Sequence, residues 1–430
     1  MKRNQERPAS ALRALPVLVA AAFSGACLAS GFQLVEQNAS GLGNAYAGTA
    51  AVAQDASTIF FNPAGMTLLP QGKSFALGVD AIQPSATFHN GGSVPATVVG
   101  VPALTRPLGG EGGDAGDLAF VPHGYFAMSL NPNLSIGFGV SAPFGLKTEY
   151  TPDWMGRFLA IKSDVKTVNL NPSVAYKVSD KLSLGLGVNY QKIDAELTNM
   201  VNLGASETLA TIQGDDTGWG YNLGALFQPS ASTRIGLAYR SEIKYHVTGN
   251  ISAPAPVPLL NQPVTLDIKL PDTFTLSAVQ QLNDRWEMLG DLSWTGWAKI
   301  PELRILTSTG ATLSVTQENW RNTWRVAFGG NYKWNDQAKL RFGLAYDQTP
   351  VKDEFRTPRL PDSNRFWVAL GAQYKPAKQS AIDVGYTHIF IKDGSINDNG
   401  GVTVPPTKGT LNGTYKNHVD ILGVQYSQSF

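Results

Sequence analysis

The chain has 430 residues, of which only 16% are charged, with 34 basic against 33 acidic side chains and 44 glycines. That near-neutral balance argues against a nucleic-acid partner, which needs a basic face. No apolar run of 18 or more residues occurs beyond the extreme N-terminus, so a helical membrane protein is out.

The first thirty residues read as a secretory signal peptide. Lys2, Arg3, Arg7 and Arg13 precede an apolar run from Ala14 to Phe23, and small residues follow around Ala26–Ser30. Cleavage is expected near Ala29 or Ser30. The only cysteine, Cys27, lies inside this segment, so the processed chain is expected to carry no thiol chemistry. Residues 31–65, GFQLVEQNASGLGNAYAGTAAVAQDASTIFFNPAG, come next. They form neither an amphipathic helix nor an alternating strand. Small residues punctuate them, and they end in Phe60, Phe61 and an Asn62-Pro63-Ala64 turn.

From Lys73 onward the sequence has period two. Leu182, Leu184, Leu186, Val188 and Tyr190 alternate with Ser183, Gly185, Gly187 and Asn189. Ile235, Leu237 and Tyr239 alternate with Arg234, Gly236, Ala238 and Arg240, and similar patterns recur at 339–347 and 381–390. Such alternation predicts strands with one apolar and one polar face. Short turns at Asn131–Asn133, Ser179-Asp180, Pro229–Ser232, Asn283-Asp284, Asn335–Gln337 and Pro376–Gln379 alternate with longer links near 143–164, 197–217, 250–262, 349–362 and 394–414. About fourteen strands result, with short turns at one end and long loops at the other. The fold expected is therefore all-β: a transmembrane antiparallel barrel whose apolar face meets lipid and whose polar face lines the lumen. A soluble sandwich would need closer turn signals. The last strand, VDILGVQYSQSF, ends on the aromatic Phe430. Trp286, Trp294, Trp324 and Tyr332 suit the interfacial girdles.

Catalytic signatures are missing. His89, His123, His246, His388 and His418 are scattered without metal-ligand spacing, and no G-x-S-x-G elbow occurs. GGEGGDAGD at 109–117 lacks the Lys-Ser/Thr of a phosphate loop. No cofactor, metal or enzymatic activity is expected. Two alternatives stay open: a non-specific porin, and an outer-membrane lipase with a Ser-His pair at its rim.

Several stretches in order along the chain resemble the FadL family of outer-membrane long-chain fatty acid transporters. They are GFQLVEQNASGLGNAYAG after the signal peptide, FNPAGM at 61–66, SAPFGLKTEY at 141–150, LPDTFTLSAVQQLNDRWEMLGDLSWTGW at 270–297, and DQTPV at 347–351 with RLPDSNRFWVALGAQY at 359–374. The resemblance implies a bacterial outer-membrane location and a monomeric fourteen-stranded barrel over 73–430. Residues 31–72 would fold inside it as a hatch, with Asn62, Pro63 and Ala64 among its fixed points. It implies uptake of long-chain fatty acids, or of aromatic hydrocarbons as in some relatives, by ligand-gated diffusion. The ligand would leave sideways through a kink in the third strand, expected at 133–142, where Gly137, Gly139 and the following Pro143 suit a kink. Arg321 aligns with a basic pocket residue of the family and shares lumenal parity with Arg325. Bidentate Arg is suited to anchor a carboxylate. Phe32 is expected at the ligand, and Phe144, Trp154 and Phe158 in an outer-loop capture groove. The run 152–161 otherwise reads as an amphipathic turn packed on the rim. The family's second basic residue has no evident counterpart near 189–200, where Lys192 points outward and Asp194 departs from the expected charge.

Overall fold

The computed structural model describes residues 31–204, 206–254, 257–401 and 406–430. The signal-peptide expectation, on residues 1–30, lies outside them. No helix among the described residues is long and apolar enough to cross a membrane.

Fourteen antiparallel strands close into a barrel. They are β1 (Lys73–Asn90), β2 (Ala119–Asn131), β3 (Leu134–Ser141, resuming over Gly145–Glu149), β4 (Lys162–Lys177), β5 (Leu182–Asn202), β6 (Glu207–Ser230) and β7 (Thr233–Arg240, resuming over Ile243–Ser252). There follow β8 (Gln262–Leu270 and Thr273–Gln281), β9 (Trp286–Thr295 and Glu302–Thr307), β10 (Thr312–Gln317 and Thr323–Lys333), β11 (Ala338–Asp347), β12 (Arg365–Ala377), β13 (Ser380–Ile391 and Gly394–Asp398) and β14 (Leu411–Ser429). Closure is made by β1 and β14, paired from Ser74↔Ser429 to Asn90↔Gly413. No strand edge is left along that seam, as a chain in hydrocarbon requires.

The period-two pattern sorts the side chains as expected. Leu184, Leu186, Leu223, Phe328, Leu344, Leu370 and Leu422 are exposed on the outer face, while their alternating neighbours turn inward. Trp286 faces Tyr332 at one end of the β9–β10 ladder and Trp294 faces Trp324 at the other. The interval between these pairs matches the roughly 9–11 residues a tilted strand needs to cross the bilayer. One link reads differently from its sequence. Residues 197–217, expected as a loop, continue β5 and β6 as strand, with only the stretch around 203–206 as connection. The alternating pattern persists there but with polar groups facing outward, above the Tyr190–Trp219 ring pair, so the apolar signal stops before the strands do.

Residues 31–72 pack against the inward-facing wall. They contain three single-turn helices, α1 (Ala39–Leu42), α2 (Thr49–Val52) and α3 (Thr58–Phe61), and a 3-10 turn at Pro63–Leu68. Such short helices are not stable alone; the wall holds them. Their trailing carbonyls, unsatisfied within a helix, are met by four wall arginines. Arg341 donates to Ser40 O, Arg325 to Ala45 O (2.6 Å), Arg234 to Val52 O (3.0 Å) and Arg240 to Phe60 O (2.9 Å). The plug itself contains no lysine or arginine, so every cation at these helix ends comes from the barrel, where it also suits the negative end of the helix dipole.

Candidate functional site

Asn62 is the plug's main fixed point. Its side-chain amide donates to Ala50 O (2.6 Å) within the plug and to Ala225 O (3.0 Å) on β6, and its Oδ1 accepts from Ala64 N (3.1 Å). Pro63 opens the 3-10 turn, where a missing N–H costs nothing. The wall has given way to admit this turn. A Cβ on Gly224 would lie 2.0 Å from Asn62 Oδ1, and one on Gly185 2.3 Å from Ala64 N.

The third strand is interrupted, and the plug fills the gap. Regular pairing of β3 with β2 ends at Gly124↔Val140, and the ladder with β4 skips from Ser141↔Asn169 to Gly145↔Lys166. The interruption therefore lies at Ala142–Phe144. Gly137 and Gly139, expected at the kink, sit within the regular ladder. A Cβ on Gly137 would lie 2.5 Å from Met66 Sδ of the plug, and one on Gly139 2.9 Å from the Tyr125 ring of β2 and 3.3 Å from Ile59 of the plug, so these glycines make room for the plug and for a neighbouring wall ring. At the interruption the chain just before α1 supplies the missing partners. Leu34 N donates to Pro143 O (2.8 Å), Gly145 N donates to Phe32 O (2.9 Å), and Gln33 bridges Phe144. The Gln37 amide clamps Ala142 from both sides, donating to its O (2.8 Å) and accepting from its N (3.2 Å).

Behind this junction lies a cavity of about 100 Å³, lined on one side by Gln33, Leu34, Val35, Tyr46, Phe60 and Phe61 of the plug. Pro143, Phe144, Trp367, Arg240, Arg325, Asp291 and Asp347 are among its wall residues. Asp291 is occupied by hydroxyls: Ser277 (2.7 Å), Ser293 (2.7 Å) and Thr49 (3.0 Å). The two guanidiniums hydrogen-bond neutral groups, with Asp291 and Glu36 within electrostatic reach of Arg325. Arg325 lies 5.0 Å from the Trp367 ring centre and bonds Ala45 O, while Arg240 bonds Phe60 O and Asn189 and lies 4.3 Å from the Phe60 ring centre. Among the described residues, neither takes part in an ion pair.

The sequence-derived candidates divide. Arg325 and Phe144 line the cavity. Phe32 sits beside it in an aromatic cage, 5.7 Å from Phe144 and 5.2 Å from Trp297, with Trp297 a further 5.2 Å from Trp320. Arg321 is at the exposed rim, donating to Thr349 O (3.1 Å). The regular strand begins only at Thr323 and Arg321 lies in the gap after Gln317, so strand parity does not extend to it. Lys192 is indeed outside, paired with Asp194 at 2.7 Å. Trp154 and Phe158 are buried. Trp154 stacks on Tyr150 at 3.9 Å, its ring N–H donating to Ala160 O (2.7 Å), and Phe158 lies 4.6 Å from the Arg157 guanidinium. The outer link is thus a packed cover in this conformation, matching the amphipathic-turn reading rather than an open groove. The residue missed was Arg240. Its inward parity was legible on β7, but nothing in the sequence says that it shares a cavity with Arg325 of β10.

The family model described as "Outer membrane protein transport protein (OMPP1/FadL/TodX)" matches residues 20–430. Outer membrane protein P1 of Haemophilus influenzae is 31% identical, over 97% of this chain and 98% of its own length. A long-chain fatty acid transport protein of Escherichia coli is 29% identical, over 84% of this chain and 86% of its own. The crystal structure of a Pseudomonas aeruginosa FadL homologue superposes with a TM-score of 0.85 at 26% identity, covering 93% of this chain and all of that one.

Proposed function

The chain belongs to the outer membrane protein transport family that includes FadL and TodX, whose members carry hydrophobic compounds across the bacterial outer membrane, and from that premise we propose that its cargo is long-chain fatty acids. The observation that carries this reading is the pair Arg240 and Arg325, two guanidiniums in no ion pair that line one cavity together with the apolar side chains Leu34, Val35, Phe60, Phe61, Phe144 and Trp367, whereas its carboxylate Asp291 is taken up by hydroxyls. A carboxylate with a long apolar tail complements that combination. The head is bound by charge-assisted hydrogen bonds in a site shielded from water, and burial of the tail contributes about 0.8 kcal/mol per methylene.

The same arginines hold the plug, and this supplies the gate. Arg325 caps Ala45 O and Arg240 caps Phe60 O; a ligand carboxylate competes for both. A cavity of about 100 Å³ is smaller than the 150 Å³ or so that holds one benzene ring, so an acyl chain enters only as the plug moves. Movement of residues 32–37 removes the partners of Ala142–Gly145 and leaves β2 and β3 unpaired above Gly124. An apolar tail then has a lateral way out of the lumen.

Widening the cavity from about 100 Å³ to the 150 Å³ or so that holds one ring needs less plug movement than admitting an acyl chain, and this favours a second reading, in which an aromatic hydrocarbon is the cargo and the arginines only position the plug. Titration of the purified protein with palmitate and with toluene, repeated on Arg240→Ala and Arg325→Ala, separates the two. Saturable palmitate binding weakened at least tenfold by each variant supports the fatty acid reading. Toluene binding indifferent to both variants, with palmitate weak, refutes it.

A further inference from the structure

Three ionisable side chains that the transport route does not use are shut into the junction between the plug, β1 and β2. Glu36 and Asp80 are 0% exposed, and the His123 ring stands with its Nε2 3.4 Å from Asp80 Oδ2, both side chains fully buried. Neither oxygen of either carboxylate, nor either ring nitrogen, has a hydrogen-bond partner. Six orphaned polar atoms in one place are costly, and the wall is carved to keep them. A Cβ on Gly423 would lie 2.1 Å from Asp80 Oδ1, and one on Gly78 2.3 Å from His123 Cε1.

Glu36 lies at the centre of the plug's moving part. Val35 before it lines the cavity, and Gln37 after it clamps Ala142. The charged and titratable groups facing it are Asp80 from β1, Arg325 from β10, Arg365 from β12 and Tyr46 from the plug. His123 and Tyr125 of β2, with rings 6.1 Å apart, stand behind Asp80. The two arginines are engaged elsewhere, Arg325 with Ala45 O and Arg365 with Asp362.

We propose that Glu36, with Asp80 and His123 behind it, is a proton-binding latch: the segment 32–37 is seated when Glu36 carries a proton and loosens when Glu36 ionises. An ionised Glu36 would be a second carboxylate beside Asp80 in a dry enclosure, with no donor turned to it but its own backbone N–H. Seated, the Glu36 carboxyl is pushed up from 4.5 to about 7, first by burial and then by Asp80, against the pull of its own backbone N–H and the two arginines. Released into water it returns to the ordinary value. The seated form therefore holds an extra proton between these limits. Its stabilisation is complete below about pH 4.5 and is lost as pH rises toward 7. At tenfold per pH unit, the full effect is on the order of 300-fold in the seating equilibrium.

Hydrogen exchange of the intact chain in detergent, with intrinsic rates corrected for pH, tests this without any ligand, so its outcome is separate from the fatty acid reading. The amides of Leu34 and Gly145, bonded across the junction, are expected to lose roughly 60-fold in protection between pH 5 and pH 7.5, the part of the full effect that falls in this window, while β14 amides stay constant. In Glu36→Gln the protection is expected to be high and pH-independent. Unchanged protection across pH in the wild-type chain, or the same fall in Glu36→Gln, overturns the proposal. Should Glu36→Gln fail to assemble, Asp80→Asn is expected to shift the fall to lower pH, and an unshifted midpoint overturns it equally.

Discussion

Replacing Gln37 by alanine tests whether the plug completes the broken wall. The side chain is 0% exposed and makes three hydrogen bonds, two to Ala142 N and O and one to Leu34 O (3.1 Å). Its removal leaves the N–H and C=O of buried Ala142 without partners, whereas the backbone bonds Leu34 N–Pro143 O and Gly145 N–Phe32 O persist. Orphaning a buried group costs about 1–3 kcal/mol; with partial relaxation at the interrupted strand, the two together weaken seating by roughly 2–3 kcal/mol. At about 1.4 kcal/mol per factor of ten, the unseated population should rise roughly 30- to 150-fold. Trypsin has no site in residues 31–72, but chymotrypsin has Phe32, Leu34 and Tyr46. Under conditions where cleavage is slow, the rate follows that population. Gln37→Glu, which keeps an acceptor for Ala142 N but loses the donor, should fall between. Equal cleavage rates in wild type and Gln37→Ala would refute the view that this side chain closes the wall.

Gly224→Ala should loosen the plug while leaving the barrel intact, because its methyl would occupy the place of Asn62 Oδ1. Faster chymotrypsin cleavage after Phe60 or Phe61, with unchanged heat-resistant migration of the barrel on gels, is the expected result. Asn62→Ala should reproduce it at a cost of about 2–4 kcal/mol, having lost the bonds to Ala50, Ala225 and Ala64. Trp154→Ala should destabilise the extracellular cover by about 3–5 kcal/mol, read as faster hydrogen exchange over 150–161 with no change in β10–β14. If that variant instead weakens ligand binding with exchange unaltered, Trp154 is a contact residue rather than a packing one.

Strand number and sidedness were legible because a barrel repeats one rule along its length: what faces lipid is apolar and what alternates with it is not. The plug was legible for the opposite reason, an absence of period combined with small residues. What the sequence hid were relations across the lumen. Arg240 and Arg325 are separated by two strands in the wall, β8 and β9, and share one cavity only because the curved sheet and the plug bring them to it. Arg321 was placed in the lumen by extending the strand two residues too far, whereas the ladder starts only at Thr323. Trp154 and Phe158 looked like exposed loop aromatics, yet stacking on Tyr150 and packing against Arg157 bury them. In the third strand, glycine was a poor guide to the break. The glycines make room for Ile59 and Met66, and the ladder fails where its partners are supplied by a segment a hundred residues earlier.

The plug's dependence on the wall has a consequence for assembly. Residues 31–72 leave the ribosome before any strand, yet Gly31 N is bonded to Asp362 (3.0 Å), Arg341 reaches back to Ser40, and Asp55 is held by Gln425 (3.1 Å). These partners lie on β11, on the link before β12 and on β14, all in the last quarter of the chain. Until the final hairpin is in place these contacts are missing and the segment is only partly held, and the loops it must close are among the longest in the chain, which makes their formation slow. The first part of the protein synthesised is therefore the last to become ordered, and a barrel caught early in its maturation should be an open pore.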